Sequence, residues 1–216
     1  MINEDAIKKA LKAAKKSTKK NFTQRVEFIL NLRDIDLKTP QNRIKTDVAL
    51  PHSSGADTKI AVFAEEDMVK KATEANADRV LTKKDLDEMA KNSKLAKKIV
   101  AEFDYFLAQS TLMIQIGKTL GKILGPRGKM PKPVPPTADL NSMVNRYKRS
   151  VSINMKDAPQ IQIPVGSEET KDEEILENIH TILRTLENEK VFERGIDPHI
   201  RSMYIKTTMG EAVKVS

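Results

Sequence analysis

The chain has no cysteine and no tryptophan, only 4% aromatic residues, and no apolar run approaching the length of a membrane span. Without cysteine there is no disulfide, no thiolate nucleophile and no thiolate metal site, and an intracellular, reducing compartment is favoured. Without about 18 consecutive apolar residues no transmembrane helix is expected, and the lysine-rich start lacks the apolar core of a secretion signal. The shortage of aromatics leaves little for a platform that stacks several unpaired bases. Catalytic patterns are missing too. Gly117-Lys118-Thr119 has Leu112 where a phosphate loop needs glycine, and neither G-x-S-x-G nor G-x-G-x-x-G occurs. His52, His180 and His199 stand far apart and show no metal-ligand spacing, so no cofactor and no metal are expected.

What is present is positive charge, unevenly placed. The net charge is +8, with local balances of +6 over residues 1–63, +6 over 64–155 and −4 over 156–216. Such a balance suits a polyanion, either nucleic acid or an anionic surface, although a solvated lysine face would look the same. Between Asp104 and Asp139 there is no acid at all, while Lys118, Lys122, Arg127, Lys129 and Lys132 fall inside the gap. Its centre, "ILGPRGKMPKPVPP" at 123–136, holds five of the ten prolines. Each proline fixes φ and removes a donor, so this loop is expected to be stiff and to present its cations. Gly125, Pro126, Arg127, Gly128, Lys129 and Lys132 are therefore candidates for a secondary RNA contact or for a latch between domains.

Hydrophobic spacing gives the organisation. Ala6, Ile7, Ala10, Leu11 and Ala14 predict an amphipathic basic helix over about 5–20. "RVEFILNL" and "NRIKTDVALP" read as strands. After the loop "PHSSGADT" the pattern changes. "KIAVFA", "DRVLT" and "YFLAQ" are short buried strands, and the helical stretches "EEDMVKKATEAN", "KKDLDEMAKN" and "TLMIQIGKTLG" alternate with them, which is the pattern of a parallel α/β sheet. A further helix begins near Asp139. "VSINM" and "QIQIPVG" then alternate as strands, a long helix with an acidic start follows over "SEETKDEEILENIHTILRTLENE", and "IRSMYIKTTMG" is a strand of period two. The expected fold class is α/β with two domains. A discontinuous α+β outer domain (1–64 and 156–216) carries an inserted Rossmann-like three-layer α/β domain (65–155).

Three motifs carry a specific likeness. "NFTQRVEF" at 21–28, "LGPRGKMPKP" at 124–133 and "TTMGEAVKV" at 207–215, with "QIPVG" at 162–166, resemble the ribosomal protein L-one family, that of the mobile side stalk of the large subunit, in its archaeal form. The resemblance covers nearly the whole chain. It implies a non-enzymatic protein, cytoplasmic and ribosome-bound, monomeric when free. Its implied partners are a structured element of large-subunit ribosomal RNA, a mimic of that element on its own messenger, whose translation it represses, and the exit-site transfer RNA whose release the stalk assists. Motif by motif, the implied RNA-binding residues are Phe22, Gln24, Arg25, Glu27, Gln162, Gly166, Ser202, Thr208, Met209 and Gly210. Their chemistry suits folded RNA: a hydroxyl, a soft thioether, small residues and amides can read shape and 2′-hydroxyls. A plain reading also stands. Phe22 could be a core aromatic, Met209 a core residue, Gly210 a turn glycine of positive φ, and Glu27 the partner of a buried cation. A rival of another class is an enzyme acting on nucleotides through the inserted domain.

Overall fold

In the computed structural model, which describes residues 4–16, 20–135, 138–155, 158–192 and 195–215, the alternation over 25–32 becomes strand β1 (Arg25–Leu32). It buries Val26, Phe28, Leu30 and Leu32 and turns Arg25, Glu27, Ile29 and Asn31 the other way. β1 lies inside a four-stranded antiparallel sheet with β8 (Gln160–Ser167), β9 (Ile200–Thr207) and β10 (Val213–Val215), in the order β10-β9-β1-β8. Helix α1 (Glu4–Lys16) packs on β9 and β10, and α7 (Asp172–Glu187) on β8. Ala6, Ile7, Ala10, Leu11 and Ala14 of α1 and Ile175, Ile179, Ile182 and Leu186 of α7 join the inward side chains in one core. Lys15 Nζ ties the helices together, donating to Asp172 Oδ1 at 2.7 Å and to Thr170 O at 2.6 Å.

Two bulges shape this sheet. Between Val26 and Glu27 the pairing to β8 skips Val165, so Val165 and Gly166 are both buried. Between Asn31 and Leu32 the pairing to β9 skips Arg201. An extra residue in one strand re-aims side chains that simple alternation would place on opposite faces.

The chain leaves this unit after β2 (Ile44–Ala49) and returns through β7 (Ser150–Met155), which pair with each other. Residues 1–56 with 149–216 form one compact unit and 57–148 the other. The division thus falls at 56/57 and 148/149, earlier than the 64/65 and 155/156 expected from where the strand-and-helix alternation begins and ends. The reason is pairing: β3 (Ile60–Phe63) belongs to the parallel sheet of the inserted unit, and β7 belongs with β2.

In the inserted unit β3, β4 (Arg79–Leu81), β5 (Tyr105–Gln109) and β6 (Lys132–Val134) form a parallel sheet in the order β4-β3-β5-β6. Helices α3 (Lys83–Lys91), α4 (Ser93–Glu102) and α5 (Met113–Leu124) bury Leu86, Met89, Ile99, Ile116 and Leu120 against Ala61 and Phe63. Helices α2 (Asp67–Glu74) and α6 (Leu140–Lys148) bury Met68, Ala72 and Val144 against Ile60 and Val62 on the opposite face. With both faces covered, β3 is apolar throughout, as parallel strands are. This is the three-layer α/β arrangement. Three elements were not expected: α4, which Asn92 starts by accepting from the Lys94 and Leu95 N–H groups at 3.2 Å, the short β10, and β6. β6 comes out of the proline-rich stretch. It is an edge strand, where a proline such as Pro133 removes no shared ladder bond.

Candidate nucleic-acid interface

At one end of the outer sheet the start of β1, the turn after β8 and the turn after β9 are bonded together. Gln24 is the link. Its side chain is fully buried; Oε1 accepts from the Met209 N–H at 3.1 Å and Nε2 donates to Glu168 Oε2 at 3.3 Å. Its main chain donates to Glu168 Oε1 at 3.2 Å and accepts from the Glu168 N–H at 2.9 Å. One residue on, the Arg25 N–H donates to Thr208 Oγ1 at 3.1 Å, and the Thr208 N–H returns a bond to Arg25 O at 3.0 Å. The turn closes with Gly210 N–H to Thr207 O at 3.0 Å. Backbone shape here is thus set by a buried amide and a hydroxyl rather than left to solvent.

On this frame stand two apolar side chains in water. Phe22 is 52% exposed and Met209 is 60% exposed. They are the large exposed hydrophobics of the outer unit among the described residues; Met209 sits on the bonded turn after β9, and Phe22 lies two residues before Gln24, in the bend that leads into β1. Neither is a core residue, and Gly210 is not among the positive-φ glycines. The alternative reading thus fails for Phe22 and Met209 as core residues and for the positive φ of Gly210, while the β-turn it expected after the strand is present.

Along the outward face of the sheet, Glu27 Oε2 accepts from Gln162 Nε2 at 2.6 Å, and Glu27 is also in register with Lys206. Glu27 is half-buried rather than paired with a cation inside the core. Further along, Ser202 Oγ accepts from Asn31 Nδ2 at 3.0 Å. Ser202 lies on β9 six residues before Thr208, which opens the turn after that strand, about 20 Å at strand rise. Strand alternation and register place Arg25, Lys206 and Lys214 on this face, and the bulge adds Arg201, against one carboxylate, Glu27, among the described residues of these strands, with Glu168, Glu169 and Glu211 on the adjoining turns. The outer unit's modest net charge thus hides a locally basic face. Sequence reasoning missed Glu168, Arg201, Tyr204, Lys206 and Lys214; the period-two pattern of "IRSMYIKT" was the signal that could have found two of them, Tyr204 and Lys206.

Gly166 is the exception among the candidates. It is buried, and a Cβ there would lie 2.8 Å from Ile175 Cγ1, so the glycine serves the close approach of α7 to the sheet. It has no outward surface with which to touch a ligand. Gln24, equally buried, acts by holding its neighbours.

The loop of the inserted unit also departs from expectation. Lys129 Nζ donates to Phe103 O at 2.6 Å and Val100 O at 3.3 Å, and Arg127 Nη1 reaches Lys97 O at 3.4 Å. Both reach the carbonyl end of α4, where orphan acceptors and the helix dipole favour cations; Lys129 is drawn half-buried onto it, while Arg127 stays exposed. Gly128 takes the left-handed conformation (φ 72°), Gly125 is helical, and Lys132 lies in β6. Pro126 is exposed beside them.

At the carboxyl ends of β3 and β5, where the strand order reverses and α/β sheets hold nucleotides, the Glu65 N–H donates to Gln109 Oε1 at 3.2 Å, and Glu66 and Asp67 follow. No glycine cradle is present there, and three carboxylates oppose a phosphate. Among the described residues no group of three or more His, Asp or Glu could hold a metal ion, and no helix is long and apolar enough to cross a membrane.

Comparison with known proteins decides between the readings. The sequence model of the ribosomal protein L1p/L10e family matches residues 11–211. The chain belongs to this family. It is 45% identical over 215 residues to the large ribosomal subunit protein uL1 of Methanocaldococcus jannaschii, covering 99% of this chain and 96% of that one. Against the proteins of the same name from Archaeoglobus fulgidus and Thermofilum pendens it is 43% identical over 216 residues (100% and 99% covered) and 46% identical over 214 (99% and 92% covered). These L1p/L10e relatives are ribosomal proteins, not enzymes, and the nucleotide-enzyme rival falls with that.

Proposed function

We propose that this protein is a component of the large ribosomal subunit that binds structured large-subunit ribosomal RNA through the outward face of its outer sheet. Met209 abuts the RNA from the bonded turn and Phe22 from the bend before β1, Thr208 and the turn backbone meet riboses, Glu27 and Gln162 offer an acceptor and an amide to 2′-hydroxyls or base edges, and Arg25, Lys206 and Lys214 lie along phosphates. The observation that carries the reading is the exposed pair Phe22, two residues before the buried Gln24, and Met209, on the turn that Gln24 holds, in a chain of this ribosomal family. Side-stalk formation, assistance to exit-site transfer RNA and repression of its own messenger follow as further roles of the ribosome-bound, cytoplasmic protein. They reuse the same surface or its position on the subunit.

The test is binding to in-vitro transcribed large-subunit ribosomal RNA across a salt series. Thr208→Ala and Met209→Ala should each weaken binding while the fold survives, and log K should fall linearly with log salt at about 0.7–0.9 per neutralised phosphate. Wild-type affinity in both variants would refute the assignment.

A further inference from the structure

At the end of the sheet remote from the Thr208 turn, the outward face opens into a cavity of about 370 Å³ between β1, β8 and β9. This lies within the roughly 300–1,000 Å³ typical of small-ligand sites. Three of its side chains form a row across three strands: Gln160, Asn31 and Ser202 are register partners on one face. The Asn31-to-Ser202 bond uses one amide hydrogen. Asn31 keeps its carbonyl oxygen and second N–H, and Ser202 keeps its hydroxyl proton. The ring of Tyr204, half-buried, forms another part of the wall, and among the described residues no carboxylate lines the cavity.

Arg201 is what makes this more than a dip in a sheet. In a regular strand it would point opposite to Ser202, into the core. The bulge at Asn31/Leu32 takes it out of register, and it lines the cavity beside Ser202 and Tyr204. A bulge that re-aims one cation into a polar, aromatic-walled recess is a constructed feature.

The geometry points to a nucleobase subsite. One unstacked base of the bound RNA enters the cavity, lies against Tyr204, has its edge read by the Gln160, Asn31 and Ser202 row, and has its phosphate met by Arg201. Amides and hydroxyls suit the mixed donors and acceptors of a base edge, and one aromatic suffices for one base. The subsite rests on the RNA reading above and deepens it: a second point of contact, remote from Thr208, would fix the orientation of a helix-and-loop element and not only its position.

The experiment uses the full chain and the fragment of large-subunit ribosomal RNA that it protects from nuclease. Each unpaired nucleotide of the fragment is replaced in turn by an abasic one, and affinity is measured for wild type, Arg201→Gln, Tyr204→Ala and Met209→Ala. One abasic position should weaken wild-type binding by about 5- to 100-fold, the effect of one lost base stack. That same position should leave Tyr204→Ala almost unaffected while still weakening Met209→Ala. Losses that simply add at every position would overturn the subsite yet leave the RNA reading in place; the absence of any protected fragment would remove both. Gln160 is exposed and belongs to the row that reads the base edge, so Gln160→Ala on the same abasic series, with the coupling likewise reduced, keeps the test decisive if Tyr204→Ala fails to fold. Arg201→Gln, by contrast, meets a phosphate that the abasic nucleotide keeps, and should lower affinity equally at every position. Mononucleotides added alone mark the other source of this chemistry, and their binding to the RNA-free protein below about 0.1 mM would overturn the subsite in favour of a small-molecule site.

Discussion

Replacing Gln24 by alanine tests whether a residue with no surface of its own governs the candidate site. The change removes the acceptor of the Met209 N–H and the donor to Glu168 Oε2. The main-chain bonds between Gln24 and Glu168 remain, so the turn after β8 keeps part of its tether. At the turn after β9 the loss is a part-buried Met209 N–H without its partner, about 1–3 kcal/mol if water does not replace it. That energy corresponds to an opening of the turn about 5- to 150-fold more frequent. Amide hydrogen exchange at Met209 reads this directly, because local opening sets its protection. We expect protection at Met209 to drop by such a factor, protection in α3–α6 to be unchanged, and affinity for ribosomal RNA to fall although Gln24 has no outward atom. Gln24→Glu should be harsher for β1 and the turn after β8, since it sets a second carboxylate against Glu168, while its oxygen can still accept from Met209. Unaltered exchange at Met209 in Gln24→Ala would refute the reasoning.

Three further outcomes follow from the packing. Gly166→Ala should destabilise the outer unit by about 1–3 kcal/mol, the usual cost of overpacking, because Ile175 must move; a thermal shift in the outer unit checks it. Lys129→Met should leave Val100 O and Phe103 O without their cation and raise amide exchange at the end of α4, with RNA affinity at the outer sheet unchanged. Burial pushes the Asp85 carboxyl up, but hydrogen bonds from the Thr82 N–H and Oγ1, with the Arg79 charge, outweigh it and hold the group below the usual carboxylate range. Its contribution to α3 is therefore complete above the ordinary aspartate pKa and is lost as pH falls through the lower folded value; acid unfolding of Asp85→Asn should lack that component.

Much of this architecture was legible from periodicity. The outer strands alternate, apart from their bulges, because one face is buried and the other is not, and β3 in the inserted unit is apolar throughout because helices cover both faces. What escaped was set by contacts distant in sequence. Nothing local in "MPKPVPP" announces β6, whose pairing is supplied by β5, and nothing in "QIPVG" tells a glycine that admits a helix from one that admits a ligand. Gln24 could be named but not understood, since its burial arises only when residues near 168 and 209 close over it. Arg201 was invisible for the same kind of reason: a bulge breaks the very rule by which faces are assigned.

The most direct test is ultraviolet crosslinking of the protein to total cellular RNA, with both the attached nucleotides and the attached peptides identified. This account requires crosslinks within 22–31, 160–164 and 200–214, joined to one structured element of large-subunit ribosomal RNA. Crosslinks confined to α1 and α7, on the opposite side of the sheet, or scattered over unrelated RNAs, would contradict it.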